Sequence, residues 1–217
     1  GVATLCLDDL YFPREHRERL ARDVHPLLRT RGVPGTHDAE LGVRILDGLC
    51  HGGTTFIPRF DKAQDTRMPQ DRWVAVEGPV KVVLLEGWCV GARPQIPEAL
   101  AEPVNALERD EDAAGVWRGF ANGALAGPYQ TLFARIHRLV LLAAPGFDVV
   151  VRWRRQQEHD LRAGLVAQGQ GVERTMDDAA VERFVRHYER LTRHILAEMP
   201  HRADLVIHLD EARRVVG

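Results

Sequence analysis

Val2-Ala3-Thr4-Leu5-Cys6-Leu7-Asp8-Asp9 is a six-residue apolar run that stops abruptly at two carboxylates. It is too short and too continuous for an amphipathic helix, and it reads as a buried parallel strand. Three other runs have the same form: residues 80–85 before Glu86, residues 147–153 before Arg154-Arg155, and residues 204–209 before Asp210. Long helical patterns lie between them. That alternation predicts an α/β fold with a mostly parallel sheet. Ligands of open α/β sheets bind outside the carboxyl ends of the strands, so the four charged ends are expected to converge on one site.

Working outward, Pro13 suits a first helical residue, and Leu20, Val24, Leu27 and Leu28 share a face until Pro26 ends or kinks the helix. Tyr129, Leu132, Phe133, Ile136, Leu139 and Val140 have helical spacing. So do Val181, Phe184, Val185, Tyr188, Leu191, Ile195, Leu196 and Met199, from a cap at Asp177 or Asp178 to Pro200. Residues 32–38 and 52–71 are irregular and carry glycines, prolines and charge, the composition of substrate-holding loops.

The chain has 217 residues, 45% hydrophobic and 28% charged, with a net charge of −2. It is read as a single α/β domain over residues 1–217. This composition excludes disorder and leaves no basic footprint for nucleic acid. The longest apolar stretch, residues 139–147, is far below the roughly 18 residues of a membrane span, and no signal peptide is visible. Cys6, Cys50 and Cys89 have neither a C-x-x-C spacing nor an even number, which argues against disulfides and zinc and for a reducing cytoplasm. Only Lys62 and Lys81 are lysines among 29 basic residues, so arginine carries most of the positive charge. The opening at Gly1, with no initiator methionine, reads as a cut or processed chain.

Several constellations carry chemistry. Asp8 and Asp9 stand just past a strand, where a helix cap and a general base or metal carboxylate are both open readings. Val82-Val83-Leu84-Leu85-Glu86-Gly87-Trp88 delivers an acid into a glycine turn and resembles a Walker B strand, whose carboxylate serves the magnesium of a nucleotide. Pro58-Arg59-Phe60-Asp61-Lys62-Ala63, with Asp65 and Arg67 after it, mixes both charges on one loop. Arg59, Lys62 and Arg67 suit an anionic substrate, with Asp61 holding one of them. Arg154-Arg155 and Arg190 with Arg193 fit either surface salt bridges or cations over a transferring phosphate. His187 and His194 share a helix face without a third ligand in register, and no G-x-S-x-G or G-x-G-x-x-G stands in the chain.

In order, these segments resemble the glycerate kinase branch of the P-loop kinases, which is related to uridine kinase, phosphoribulokinase and pantothenate kinase. The resemblance runs through Leu7-Asp8-Asp9-Leu10-Tyr11, Arg31-Gly32-Val33-Pro34-Gly35-Thr36-His37-Asp38, Pro58 to Ala63, Glu86-Gly87-Trp88, Pro103 to Glu108, Ala144-Pro145-Gly146-Phe147 and His187 to Arg193. It implies a P-loop NTPase-type parallel sheet with flanking helices, and transfer of the γ-phosphoryl group of ATP to D-glycerate. It also implies that Asp8 lies near the acceptor hydroxyl, with Asp9 a second candidate, and that Glu86 organises Mg2+. By the same likeness Asp61 and Arg67 contact the acceptor, Arg59 and Lys62 meet its carboxylate, and Arg154 begins a lid over ATP. A related kinase for pantothenate or a sugar, and a non-catalytic family member that binds an acid or a partner, are the alternatives.

One departure is large. No G-x-x-x-x-G-K-[ST] occurs in the sequence. The resemblance places that loop upstream of residue 2, so the expectation is a chain lacking its N-terminal strand, phosphate loop and helix, and inactive as it stands.

Overall fold

The computed structural model describes residues 1–216 apart from 170, 173 and 174. Its contacts divide the chain into two compact units, Gly1–Pro103 with Glu111–His137 and Val104–Asp110 with Arg138–Gly217. Each unit has its own parallel strand pair.

The first unit opens with β1 (Val2–Cys6), α1 (Arg14–Asp23) and α2 (Ala39–Cys50). It continues with β2 (Gly53–Ile57), the two-residue strands β3 (Phe60–Asp61) and β4 (Thr66–Arg67), β5 (Val74–Gly78) and β6 (Val82–Glu86). β1 and β6 pair in parallel from Val2↔Val82 to Cys6↔Glu86, so both strands end at one edge. Ala3 and Leu5 are buried, whereas Val2, Val82 and Leu84 are exposed, so the continuous apolar runs do not mean cover on both faces here. β2 pairs antiparallel with β5, and β3 with β4. Pro13 takes the N-cap place of α1, one residue before its first turn. Asp38 caps α2, accepting from the Leu41 N–H at 2.9 Å.

The sequence reading fails at several boundaries: residues 52–71, read as irregular, carry β2, β3 and β4, and α1 stops at Asp23, before Leu27 and Leu28. Residues 147–153, expected as a strand, are the first two turns of a helix. After α3 (Ala106–Glu111), α4 (Val116–Ala124) and α5 (Gln130–Phe133), the strand is β7 (Val140–Ala143), and Phe147 begins α6 (Phe147–Ala167). Gly146 starts the helix, Asp148 lies in its first turn, and Phe147 packs with Val150 and Val151 against Val181, Phe184 and Val185. Packing against a neighbouring helix overrides the strand preference of a three-valine run. The expected helix over residues 129–140 is correspondingly short. It follows a π-helical segment with Gly127 out of helical geometry and Pro128 inside, and it ends at Phe133.

The second unit closes with α7 (Asp178–Glu198), β8 (Leu205–Leu209) and β9 (Val215–Val216). α7 begins, as expected, at an Asp177 cap that accepts from the Ala180 N–H at 2.7 Å. β7 and β8 are parallel, from Val140↔Leu205 to Ala143↔His208, and β9 lies antiparallel on β8.

Candidate active site

The carboxyl ends of β1 and β6 place Asp8 and Glu86 at one edge of the first unit. A single 3-10 turn, Leu7–Leu10, follows β1 and sends its two aspartates to different partners. Asp9 takes two anchors: the Phe60 N–H donates to Oδ1 at 2.9 Å, and Arg59 Nη1 to Oδ2 at 2.9 Å. Asp8 accepts from Lys62 Nζ at 2.8 Å. Neither aspartate caps α1, whose N-cap makes no side-chain hydrogen bond. The β3–β4 hairpin is thus clamped over the turn by its own cations.

The two clamps differ in firmness. The Lys62 side chain is 62% exposed and that of Asp8 33%, so their attraction is shared with water and worth little, about 0–1 kcal/mol. Arg59 and Asp9 are less open, and the Phe60 amide fixes Asp9 independently.

Arg67 lies on β4 of the same hairpin, and its guanidinium is bonded within the protein. Its Nη2 donates to the carbonyls of Leu10 at 2.9 Å and Tyr11 at 3.0 Å, and its Nη1 lies 3.4 Å from Asp38 Oδ2. Burial draws its guanidinium below the ordinary value, with Asp38 opposing. It braces the turn after β1 against the start of α2. Among the described residues Asp61 holds no cation: its Oδ1 accepts from the Ala63 and Gln64 amides at 2.8 and 3.0 Å and shapes the hairpin turn. The carboxylates that hold the cations are Asp8, Asp9 and Asp38. At the tip of the hairpin Asp65 meets Arg31 and the buried Arg17 of α1, which also bonds the carbonyls of Phe12 and Arg29.

Glu86 ends β6 exposed, beside Cys6 across the parallel register. Burial, then a hydrogen bond to Glu86, pushes the Cys6 thiol up to about 12, and burial does the same for Cys89. Neither is a thiolate nucleophile at neutral pH. Gly87 follows at φ +155°, and a Cβ there would meet the Leu7 Cβ at 2.6 Å, so glycine is what lets the chain turn away beside β1 after delivering its acid. The donor chemistry at Glu86 fits Mg2+, which takes one or two carboxylates and completes its shell with phosphate and water. Among the described residues no group of three or more histidines, cysteines or acids could hold a metal by itself.

Beneath the turn lies a buried polar pair. The Tyr129 hydroxyl accepts from the Gly35 N–H at 3.0 Å and the His37 N–H at 3.2 Å, and it meets His37 Nδ1 at 2.6 Å. Tyr11 stacks on the His37 ring with centroids 4.2 Å apart. Gly35 is at φ +95°, with a Cβ excluded by Phe120 at 2.5 Å. Burial holds the His37 imidazole down to about 3, opposed by the negative charge of Asp8, and burial raises the Tyr129 phenol well above 10.

In the second unit Arg154 lies within α6, bonded to Gln157 Oε1 at 2.7 Å and Glu158 Oε2 at 2.8 Å, over the Phe184 ring. Arg190 and Arg193 are taken by acids: Arg190 forms a fork on both oxygens of buried Glu108 at 2.8 and 2.6 Å, and Arg193 Nε and Nη2 both donate to Oε1 of buried Glu189.

No protein-family model matches the chain. An uncharacterized kinase of Schizosaccharomyces pombe is 30% identical over 198 residues, covering 87% of this chain and 68% of that protein. The chloroplastic D-glycerate 3-kinase of Arabidopsis thaliana is 30% identical across 99% of this chain and 47% of its own length. The chain belongs to the glycerate kinase branch of the P-loop kinases. It spans about half of the Arabidopsis relative, 47%. A solved D-glycerate 3-kinase from Cryptococcus neoformans superposes with a TM-score of 0.77 at 24% identity, covering 100% of this chain and 78% of that one. That likeness carries the α/β P-loop-type fold. No helix among the described residues is long and apolar enough to cross a membrane.

Within this glycerate-kinase-branch chain, sequence reasoning passed over Arg17, Arg31, Asp38, His37 and Tyr129. Asp38 carried a signal, an acid directly before a helical run. His37 stood inside the Gly35-Thr36-His37-Asp38 phrase. Arg17 and Tyr129 reach the site only through the fold.

Proposed function

We propose that this chain carries the acceptor-binding and metal-carboxylate groups of an ATP-dependent kinase that phosphorylates a small hydroxy acid, D-glycerate. The observation that carries the reading is the Asp8–Lys62 pair, a carboxylate at the strand edge whose partner is an exposed ammonium on the Arg59 loop. An incoming carboxylate draws Lys62 and Arg59 to itself and frees Asp8 to receive the acceptor's hydroxyl proton. That oxygen then bonds to the γ-phosphorus while ADP leaves. Glu86 would hold Mg2+, which when bound with ATP neutralises phosphate charge. Arg154 is our candidate cation for the nucleotide phosphates, and Arg67 and Asp61 shape the acceptor loop. The relatives named as kinases and the D-glycerate 3-kinase of Arabidopsis support this reading.

The absence of G-x-x-x-x-G-K-[ST] from the 217 residues favours a second reading: these residues by themselves bind the acid without transferring phosphate. We place the protein in the cytoplasm on its unpaired cysteines, although the Arabidopsis relative is named as chloroplastic. Titration calorimetry of the chain with D-glycerate, glycerol and pantothenate tests the acceptor. Glycerate is expected to bind, and glycerol, which lacks the carboxylate, is not. Equal binding of glycerate and glycerol overturns the assignment. ADP release from a phosphate-loop-bearing version, supplied with ATP and Mg2+, tests the transfer.

A further inference from the structure

His37 is 3% exposed, and its Nε2 has no hydrogen-bond partner among the described residues. Buried polar atoms are normally satisfied, so one left over at the edge of a site points to a partner that arrives later. The tautomer follows from the Tyr129 hydroxyl. Its oxygen accepts two backbone N–H groups, and its single proton is left to bond His37 Nδ1 at 2.6 Å. Nδ1 is therefore an acceptor, and a neutral ring carries its proton on Nε2. Stacking on Tyr11 and a backbone bridge between Tyr11 and His37 fix the ring plane. The segment carrying His37 lies against the turn that carries Asp8: the Tyr11 N–H closes that turn on the Asp8 carbonyl at 3.4 Å, Tyr11 bridges to His37, and the Asp38 N–H donates to the Leu10 carbonyl at 2.8 Å.

We propose that His37, oriented by Tyr129, is a positioning residue for Asp8: its Nε2–H receives the Asp8 carboxylate when Lys62 is drawn away by an anionic acceptor. The site then has two arrangements. In the one described here Lys62 occupies Asp8 and the imidazole N–H waits unpaired. In the other an acceptor's carboxylate takes Lys62, and Asp8 turns to a neutral, rigidly held donor that aims it without competing for its charge. A buried N–H bonded to a carboxylate is charge-assisted, and it is stronger than a bond between neutral groups. The inference rests on the reading of Asp8 as the group beside the acceptor hydroxyl.

The test needs no acceptor. Lys62 is a surface side chain, so Lys62→Met removes the competing cation with little risk to folding. With 15N-labelled histidine, the His37 Hε2 resonance of Lys62→Met is expected downfield of its position in the Lys62→Met/Asp8→Asn double variant. In Tyr129→Phe the ring nitrogens should report mixed tautomers. An Hε2 signal at the same position in the single and double variants overturns the relay, as does an unchanged tautomer without the phenol. The calorimetric titration with glycerate separates the two ideas. Glycerate binding with no Hε2 shift removes the relay alone. An Hε2 shift with no glycerate binding removes the acceptor assignment and leaves the pairing of His37 with Asp8 standing.

Discussion

Adjacent residues of one type are split by a single 3-10 turn into a doubly anchored group and a singly paired one. Asp9 holds the Phe60 amide and Arg59, while Asp8 holds only an exposed lysine. Asp9→Asn should therefore cost stability, about 1–3 kcal/mol for weakening hydrogen bonds to a charged group, read as a lower midpoint in urea. Asp8→Asn should leave that midpoint nearly unchanged and lower kcat of a phosphate-loop-bearing version by about 10²–10⁴, the usual worth of a positioned base. The reverse pattern would exchange their roles. His37 supplies a second residue-scale expectation. Its folded pKa lies near 3 against 6.5 for the free side chain, so the unfolded chain takes up a proton that the folded one refuses. This contribution is fully present above pH 6.5 and is lost as pH falls toward 3, by at most about 5 kcal/mol at 1.36 kcal/mol per unit. Melting temperature measured from pH 7 to 4 should fall less steeply in His37→Gln than in the parent protein. Parallel slopes would show that the imidazole is protonated in the fold.

Among the elements, charged pairs on the second unit's helices explain why the stretch from His187 to Arg193 stands out in the sequence. Glu189 would be raised by burial, yet bonds from Arg186, Arg193 and Asn105 bring it below its ordinary value. Glu108 takes both the Arg190 fork and the Val104 amide. These bonds tie residues 104–110 to α7 within one unit. Arg190→Met would strand a buried carboxylate, so a loss of about 3–5 kcal/mol in urea unfolding is expected, against no more than about 1 kcal/mol for a surface pair. The elements also show what the sequence could reveal. α7 was legible from end to end because its cap, its apolar stripe and Pro200 all agree. β1, β6 and β8 were legible because short apolar runs closed by charge have few alternatives. Residues 147–153 were not, since Val149, Val150 and Val151 suit a strand locally, and only the packing of Phe147 on Val181 and Val185 decides for a helix. In the site, Asp8, Lys62 and Arg59 were visible as types, but their pairing was not. Which acid holds which cation depends on a hairpin folding back over fifty residues, and the expected Asp61 partner proved to be a turn former.

For the molecule as a whole, the pattern that reveals strands misjudges their cover. Continuous apolar runs suggested strands buried on both faces, yet Val82 is 55% exposed, Leu84 56%, and Leu142 in the second unit 63%. Val2, Val140 and Leu205 share this exposure, so each unit presents an apolar strip on its own parallel pair. Fully burying one such side chain is worth about 1.5–3 kcal/mol, and contiguous apolar patches on soluble proteins mark association surfaces or aggregation liabilities. Among the described residues the β1–β6 sheet of the first unit has two strands, and its outer strand edges add backbone groups to the same strip. The isolated chain should accordingly bind a hydrophobic dye and show a weight-average mass that rises with concentration in sedimentation equilibrium. Val82→Thr with Leu84→Thr keeps strand preference while removing much of the apolar surface of the first strip. That pair should reduce both signals and leave the melting temperature nearly unchanged, because neither side chain is buried to begin with. A fall in melting temperature typical of core truncation would mean that these residues are covered in solution. A monodisperse parent chain without dye binding would show that the strips are too small to drive association.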